Sequence, residues 1–509
     1  MNKGKDVTRS DAKRLVFWRL KSLLLLLFVV VLSLALGQRF LTDEAVTYDD
    51  IEGHFKYGSI GGERNLGIPY WIWQAAPKLC PELLPHRQAD DRGFESIGMI
   101  YEGDNTLPVG VSKRRHLGID RVFLNCSVCH TSTVRASLTE ERQLILGMPA
   151  NRFDLMGFER FFFGCMASQK FNRANVIPLI DSMGADLDLL DKYLVYPVAI
   201  WLTQERLALL ASRLSFFRQQ PDWGPGRVDT FNAAKAVFNW DWSQADPAEM
   251  IGTADFPSIW YQAKRKQRDD GQPMELHWDG NNDRVEERNL SAAFGAGATP
   301  PIIDHKALGR IADWLETLPA PAYPWPIDKA KAAKGAPLYA QYCASCHGAN
   351  GHDFAGARVG HVEHIDDIGT DPWRLNSYTR TLAVNQGNLY TGDERYRFKR
   401  FRKTFGYANM PLDGVWLRAP YLHNGSVPTL WDLLQPQEER PGQFYRGNDV
   451  YDQQKLGFVT DAAFVNGRPM FLFDTQITGN GNQGHSGPAF GTALSDDEKW
   501  ALVEYLKQF

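Results

Sequence analysis

The sequence predicts a mainly α-helical protein in which two unequal domains follow each other along the chain. Two five-residue stretches, 126–130 and 343–347, share the pattern Cys-x-x-Cys-His, and one lies in each predicted domain. Apolar residues at helical spacing follow the first stretch, and a helical run leads into the second. A proline-rich linker at 318–326 cannot continue a helix and separates the halves. The predicted domains are therefore residues 38–317 and 327–509.

Each Cys-x-x-Cys-His motif has the spacing required to attach a c-type haem covalently. Two thiols one helical turn apart add to the two vinyl groups of the porphyrin, and the histidine that follows becomes the proximal ligand of the iron. The residues in these roles are Cys126, Cys129 and His130 in the first motif, and Cys343, Cys346 and His347 in the second. A structural zinc site would require another paired set of ligands nearby, and a thioredoxin-like pair would not require the trailing histidine twice. The sequence therefore predicts two covalently bound c-type haems.

An apolar run near the N-terminus predicts an export signal. Residues 22–36 are uncharged and apolar, and residues 1–21 carry seven lysines and arginines against two aspartates. A positive flank before an apolar run directs the rest of a chain across the membrane. Residues 1–37 are predicted to be a membrane anchor or a cleaved signal peptide, and an uncleaved anchor is favoured. Either outcome predicts a periplasmic body, tethered or secreted.

Composition and the remaining cysteines add two further expectations. The net charge is −4 although the N-terminal segment is basic, so the body is acidic and no nucleic-acid partner is expected. Cys80 and Cys165 lie outside the motifs. In an oxidising compartment they can form a disulfide, while two buried free thiols are an equally compatible interpretation.

Helical patterns follow the first motif as far as the linker. Residues 158–163, 189–196 and 207–217 carry apolar side chains at i, i+3 and i+4 spacing, and a last helix around 308–315 closes the domain. The basic stretch 112–116, just before the first motif, is predicted to be a solvated surface cluster. Pairing of this stretch with haem propionates is the alternative.

The second predicted domain begins and ends with a helix. An alanine- and lysine-rich run at 327–342 leads into the second motif, and Pro337 within it predicts a kink or a new helix start. Ser495 to Glu498 form a capping box before an amphipathic terminal helix. A motif-bearing helix at the start and a packed helix at the end form the plan of a class I cytochrome c domain. The first domain is predicted to repeat this plan around a large insertion.

The function depends on what lies opposite each proximal histidine. An iron with both axial positions filled carries electrons, whereas an open position binds small oxidants. For the second haem, His485 is the predicted ligand because its glycine-rich loop lets the backbone approach the ring closely. His423 and Met410 are alternatives. His423, together with Arg418 and Tyr421, is more typical of side chains that hold the propionates and tune the haem.

The first haem has no comparable ligand loop. His277 is one candidate for its sixth ligand. The other interpretation is that Trp278 bridges the two haems and that Phe294 lines an open, apolar pocket. The residues alone leave both interpretations open.

The chain resembles the bacterial dihaem cytochrome c peroxidase superfamily, and within it the rubber-oxygenase-like branch of dihaem cytochromes. The resemblance rests on the paired motifs, the stretches 277–280, 292–294 and 419–430, and the glycine-rich loop that ends at His485. It extends from about residue 55 to the C-terminus.

This resemblance implies two haems with different roles. The first haem would activate peroxide or dioxygen on an open distal side, with Phe294 in the distal pocket. The second, with His485 as its distal ligand, would relay electrons through Trp278. A periplasmic or membrane electron donor, a small oxidant and a calcium ion between the domains are also implied. The alternative is a membrane-tethered electron-transfer protein in which both haems are six-coordinate and no catalysis occurs.

Overall fold

The computed structural model of this protein describes residues 9–268 and 271–509. The first eight residues, with part of the predicted basic flank, lie outside the described residues. The α-helices of the described residues are α1 (Arg9–Leu41), α2 (Ile51–Tyr57), α3 (Tyr70–Leu79), α4 (Leu155–Ala167), α5 (Arg173–Ser182), α6 (Tyr196–Arg213), α7 (Thr230–Val237), α8 (Val285–Gly295), α9 (His305–Thr317), α10 (Lys329–Tyr342), α11 (Ala344–His347), α12 (Ile365–Ile368), α13 (Trp373–Ser377), α14 (Arg380–Asn388), α15 (Leu430–Leu433) and α16 (Asp496–Leu506).

Short antiparallel strands connect these helices. They are β1 (Asp43–Ala45), β2 (Ile68–Pro69), β3 (Val111–His116), β4 (Ile119–Leu124), β5 (Thr131–Val134), β6 (Gln143–Leu146), β7 (Arg227–Val228), β8 (Ala254–Asp255), β9 (Val362–His364), β10 (Gly406–Ala408), β11 (Gln443–Arg446), β12 (Tyr451–Asp452), β13 (Gly457–Phe458), β14 (Phe464–Val465), β15 (Arg468–Pro469) and β16 (Phe471–Asp474). One sheet has four strands in the order β1-β3-β4-β2, and the other sheets are two-stranded.

The predicted fold class, a mainly α tandem of two class I cytochrome c domains, is wrong. The structure is 42% helix and 12% strand, and its strands are spread over many small sheets. The first motif shows the physical reason. It forms a single 3-10 turn, Cys126–Val128, between β4 and β5, and the β-branched residues Thr131, Thr133 and Val134 that follow favour a strand over a helix.

The helix α1 contains the predicted signal or anchor. Its segment Val16–Leu41 is long and apolar enough to cross a membrane, and its apolar side chains are exposed in the structure. A helix rises about 1.5 Å per residue, so about 20 residues span a hydrocarbon layer of roughly 30 Å. An N-terminal apolar helix of this kind is consistent with a tethered or a secreted protein.

The β3–β4 hairpin positions the first motif. The two strands pair from Val111 opposite Leu124 to His116 opposite Ile119. Leu117 and Gly118 form the two-residue turn, and both have a positive φ, as a type I′ turn requires. The basic stretch 112–116 is therefore a strand. Arg114 within this strand is buried and paired with Asp43 and Asp304. This arginine is therefore neither solvated, as the predicted surface cluster would be, nor free to bind haem propionates.

The helix α10 leads into the second motif and packs against the terminal helix α16, as predicted. Gly335 in α10 lies so close to α16 that a Cβ atom there would be 2.1 Å from the carbonyl oxygen of Ala501. The helix α10 continues through Pro337 without a new start. Ser495 and Glu498 form the predicted capping box at the start of α16.

The first predicted domain closes with α9 and is followed by a segment without regular secondary structure. The helix ends at Thr317, and residues 318–328 lead irregularly to α10. The prolines of this segment explain the stop, because proline lacks the N–H that a helix interior requires. The division of the chain at 317 and 327 stays a prediction.

A disulfide joins Cys80, at the end of α3, to Cys165 in α4, so the structure selects this alternative over two free thiols. The bond closes a loop of 85 residues, which restricts the unfolded chain strongly. Replacing both residues by alanine is expected to lower the free energy of unfolding by about 4 kcal/mol. Urea titration of the haem-loaded protein measures this change. A loss below about 1 kcal/mol would show that the disulfide contributes little.

Candidate haem sites

The first motif is held by hydrogen bonds at the end of the β3–β4 hairpin. Asn125 caps the 3-10 turn by accepting the Ser127 N–H at 3.0 Å, and its amide donates to the Gly58 carbonyl at 3.1 Å. Gly110 has a φ of +89°, and a Cβ atom there would lie 2.3 Å from the Val128 nitrogen. Only glycine allows the hairpin to approach the motif so closely.

His130 has the protonation state that an axial ligand requires. Its Nδ1 lies 2.9 Å from the Pro257 carbonyl oxygen, which can only accept, so Nδ1 carries the proton. Burial lowers the pKa of the imidazole to about 4, so the ring is neutral at physiological pH. The Nε2 lone pair is therefore available to a metal, and the Pro257 carbonyl fixes the orientation of the ring.

His347 is held in the same way in the second motif. Its Nδ1 donates to the Met410 carbonyl oxygen at 2.7 Å, and burial lowers its pKa. The backbone of Met410 thus supports the proximal histidine of the second motif. This places Met410 beside the motif histidine, where its carbonyl serves as a positioning group.

The ring of His485 faces the ring of His347. Their centroids are 6.3 Å apart. A metal ion between the rings would form two metal–nitrogen bonds of about 2 Å each. These bonds, together with the distance from each ring nitrogen to its ring centroid, add up to about this separation. The Nδ1 of His485 is buried and has no hydrogen-bond partner. Burial, followed by the nearby His347, lowers the pKa of His485 to about 3, so this imidazole is also neutral. The pair has the spacing and protonation of two axial ligands.

The glycine-rich loop holds His485 through its backbone. Gly484 has a φ of +78°, and its Cβ position would lie 2.3 Å from the Thr370 nitrogen, so the loop packs on residues 369–370. Arg440 donates to the carbonyl oxygens of Asn482, Gly484 and His485 and closes the loop from the other side. No local pattern points to Arg440, because it is 45 residues from His485 in the chain.

The cysteines of both motifs suit covalent attachment to a porphyrin. All four cysteines are outside the disulfide and only partly buried. Both motif histidines also retain some accessible surface, although most of each side chain is shielded from water, which lowers the pKa of its imidazole. Burial raises the thiol pKa to about 11 for Cys126 and to about 12 for Cys343. A redox-active or zinc-binding pair would instead favour thiolates with a lowered pKa. The residues present therefore fit a c-type haem at each motif.

Trp278 connects the supports of the two proximal histidines. Its Nε1 donates at 2.9 Å to the carbonyl of Asp255, two residues before the carbonyl that holds His130. Its own carbonyl accepts from the Ala408 N–H at 2.8 Å, two residues before the carbonyl that holds His347. The position agrees with a residue between two haems, although its role in electron transfer stays a prediction.

Phe294 lies on α8 in the apolar cluster that contains Cys126. It is partly buried and packs against Phe398 at 5.3 Å and Tyr390 at 6.0 Å between ring centroids. These contacts form an apolar wall on the Cys126 side of the first motif. Its assignment to a distal pocket stays a prediction.

His277 does not face His130 as His485 faces His347. Its Nδ1 is 2.5 Å from the Asn281 side-chain oxygen, and its ring stacks on Phe401 with 6.0 Å between centroids. Both His277 and His130 have their pKa values lowered in part by the charge of Arg288, so this guanidinium lies near both imidazoles. His277 is thus close to the first site but differently oriented.

Arg418, Tyr421 and His423 occupy different environments. Tyr421 donates to the Val415 carbonyl at 3.1 Å, and His423 stacks on Tyr407 at 4.1 Å with its Nε2 3.0 Å from the tyrosine hydroxyl. The polar groups of these two side chains are therefore already paired within the protein. Arg418 is different, since its charge contributes to lowering the pKa of His347.

A buried ion cluster joins Arg418 to Arg265 through Asp413. Arg265 donates to both Asp413 oxygens at 2.7 and 2.9 Å, and Arg418 donates to the same carboxylate at 2.6 Å. Two guanidinium groups share one carboxylate, and Arg265 Nη1 and Arg418 Nε have no hydrogen-bond partner. A buried excess of positive charge requires an anion, and a haem propionate has the matching chemistry. Arg265 and Asp413 could not be predicted as partners from the sequence because 148 residues separate them.

Glu159 was also missed and lies near the first motif. It is on α4, its Oε2 is buried without a hydrogen-bond partner, and its charge contributes to raising the pKa of the Cys129 thiol. Burial raises the carboxyl pKa to about 8, with a further contribution from Asp154. Glu159 is therefore mostly protonated at neutral pH and can donate a proton.

No cluster of three or more His, Cys, Asp or Glu side chains in residues 9–268 and 271–509 is arranged to hold a metal ion. The calcium ion between the domains stays a prediction from resemblance.

Comparison with known proteins gives a family match over part of the chain near the second motif. Residues 406–446 match the family described as RoxA-like, cytochrome c-like. This stretch contains the carbonyl of Met410 and the side chains of Arg418, Tyr421 and His423. The match implies covalently bound c-type haem.

Two relatives from Sinorhizobium fredii match larger parts of the chain. Uncharacterized protein y4iM is 32% identical over 332 residues, which cover 57% of this chain and 71% of the relative. Uncharacterized protein y4iJ is 33% identical over 239 residues, which cover 36% of this chain and 39% of that relative. The chain therefore belongs to the family of y4iM, and its RoxA-like cytochrome c domain makes it a haem c redox protein.

Proposed function

We propose that this protein is a membrane-tethered, periplasmic dihaem oxidoreductase of the dihaem cytochrome c peroxidase superfamily that reduces peroxide or dioxygen at the first haem. The observation that carries the proposal is the inequality of the two sites. His347 has an imidazole opposite it at 6.3 Å, whereas His130 has no such partner among the described residues. An open axial position is what oxidant binding requires.

The haem, when bound, supplies the electron-transfer and oxidant-binding chemistry. The residues around the first motif supply the rest. Phe294 excludes water from the Cys126 side, and Arg288 places a positive charge near His130, where it favours bound anions. Glu159 holds a proton close to Cys129. Reduction of one peroxide to two waters consumes two electrons and two protons, so a buried acid is useful there.

The second site supports a relay function. His347 and His485, both neutral, would hold the second haem, and the Arg265–Asp413–Arg418 cluster would provide positive charge for its propionates. Electrons from a periplasmic or membrane donor would enter here and pass along Trp278, whose hydrogen bonds reach the supports of both proximal histidines.

The direct test mixes fully reduced, haem-loaded protein with hydrogen peroxide or with oxygenated buffer. Rapid reoxidation of both haems, saturating with oxidant concentration, is expected, and carbon monoxide should inhibit it. The signals of the two haems are followed by stopped-flow absorbance. Reoxidation no faster than that of a six-coordinate cytochrome, or insensitive to carbon monoxide, would contradict the proposal.

Glu159 gives this reaction an expected pH dependence. Because its pKa is raised to about 8, the proton is present below that pH and is lost as the pH rises through it. The rate of peroxide reduction should therefore fall above about pH 8, and Glu159→Gln should lower the rate by about 10- to 100-fold and remove this dependence. Glu205→Gln, an exposed glutamate on α6, is the control. An unchanged pH profile in Glu159→Gln would exclude the acid role.

One observation favours the alternative function of a pure electron carrier. His277 lies near the first site and has a positive φ of 64°, as His485 has at 46°. If His277 is the sixth ligand of the first haem, His277→Ala should convert that haem from low-spin to high-spin. The proposed function predicts no change of spin state, and optical and electron paramagnetic resonance spectra of the oxidised protein decide between the two.

A further inference from the structure

The segment from Leu189 to Trp201 exposes a continuous apolar surface. It consists of a π-helical turn, Asp191–Val195, that continues into α6. Leu194, Val198 and Trp201 repeat at i, i+4 and i+7, the spacing of one helix face. Leu189 is 75% exposed and Trp201 is 57% exposed. An exposed apolar helix face of this kind marks an interaction surface.

The opposite side of the same segment binds the end of α1. Arg39 pairs with Asp188 at 2.7 Å and also with Asp191. Phe40 packs into a small cluster with Ile119, Leu190, Val195 and Ala199. The apolar surface is therefore held beside Arg39 and Phe40, just after the apolar stretch of α1 ends.

The position of Arg39 sets the depth of this surface. The apolar run of α1 ends at Leu36, and three residues further along a helix correspond to about 4.5 Å. If the hydrocarbon layer ends near Leu36, Arg39 and the residues bound to it lie at the level of the lipid headgroups. Arg39 pairs with both Asp188 and Asp191, and Lys192 pairs with Asp181 at 2.8 Å.

The exposed side chains suit a lipid interface. Leucine and valine provide apolar area, and Tyr193 and Trp201 are the two residue types enriched where membranes meet water. Tyr193 is 80% exposed. A helix with an apolar face and paired charges can lie in the interface with that face among the acyl chains.

We propose that Leu189–Trp201 is an interfacial membrane helix, with its apolar face inserted into the phospholipid bilayer beside α1. The body is then held at two points and cannot rotate freely about its anchor. The buried face of α6 carries Tyr196 and Ile200 into the core cluster that includes Cys129. This inference rests on the anchor of the proposed function remaining uncleaved.

The test measures whether residue 198 is immersed in lipid. Val198→Cys is introduced into the full, haem-loaded chain, where the haems occupy the motif thiols and the other two cysteines form the disulfide, so a nitroxide label reacts at this position. The protein is reconstituted into phosphatidylcholine–phosphatidylglycerol vesicles. Val384→Cys in α14, where the valine is also exposed, is the matched control. Haem content and thermal unfolding confirm that both variants fold.

Power-saturation electron paramagnetic resonance gives the collision rates of each label with oxygen and with a water-soluble nickel chelate. The ratio of oxygen to nickel collisions is expected to be at least threefold higher at residue 198 than at residue 384. Equal ratios would overturn the inference. So would a high ratio at 198 accompanied by spin–spin broadening that disappears on dilution with unlabelled protein, because the surface would then bind a second copy.

Intact mass of the protein from native membranes separates this result from failure of the anchor. A mass that includes residues 1–37, together with lipid exposure at residue 198, supports the proposal. A mass lacking them removes the anchor on which the inference rests and overturns it. Neither measurement depends on the reaction with oxidant, so the proposed activity is tested independently.

Discussion

The His485→Ala variant is expected to convert the second haem from low-spin, six-coordinate iron to high-spin iron with an open axial position. His485 is the ring that faces His347, and within the described residues no other imidazole ring is paired with His347. The oxidised variant should show high-spin iron at the second haem in addition to that of the first haem. After reduction, the variant should bind one more carbon monoxide per protein than the wild type.

Two controls separate ligand loss from a general disturbance. Added imidazole should return the variant to the low-spin state, because the free ligand can occupy the position that the side chain leaves. His364→Ala removes an exposed histidine at the end of β9 and should leave both spectra unchanged. If His485→Ala retained wild-type spectra, another group would be the ligand.

The Trp278→Phe variant is expected to slow electron exchange between the haems by at least tenfold while haem content stays normal. Phenylalanine keeps an aromatic ring but loses the Nε1–H that donates to the Asp255 carbonyl, and it is harder to oxidise than an indole. The connection between the supports of His130 and His347 is thereby weakened.

The exchange rate is measured by rapid injection of one electron and by following the redistribution of absorbance between the haems. Trp325→Phe is the matched control, since Trp325 stacks on Tyr451 at 5.2 Å within the core of the second site. A rate in Trp278→Phe equal to that of the control would remove Trp278 from the electron path.

The sequence predicted the local features of the site well. The two motifs, the glycine-rich loop of His485, the capping box at Ser495 and the helix that closes at Thr317 all depend on residues close together in the chain. The ring of His485 lies near that of His347, where its glycine-rich loop led us to expect it, and its role as a haem ligand stays a prediction.

The strands of the β3–β4 hairpin were not predicted from the sequence, for a physical reason. The β3 strand carries Lys113, Arg114 and Arg115, which hide the alternation of apolar and polar residues. Its turn uses Leu117 at a positive φ, where asparagine or aspartate is usual, so the hairpin lacks its common signal. The helical plan of the second motif was therefore transferred wrongly to the first.

The supporting residues could not be found from one sequence, because their partners are distant along the chain. Asp413 accepts hydrogen bonds from Arg265, which is 148 residues away in the chain. Arg440 donates to the carbonyl oxygen of His485, which is 45 residues away. Glu159 gave no local pattern at all. Its significance comes from burial without a hydrogen-bond partner near Cys129, which only the folded chain shows.

The central claim is that the first haem site has an open axial position and the second has none. Carbon monoxide titration of the reduced, haem-loaded protein tests this claim most directly. Haem content is first measured as covalent mass and should correspond to two haems per chain. The account predicts that one carbon monoxide binds per two haems, and that Cys126→Ala with Cys129→Ala, which removes the first haem, abolishes this binding. Binding of no carbon monoxide, or of two per chain, would contradict it.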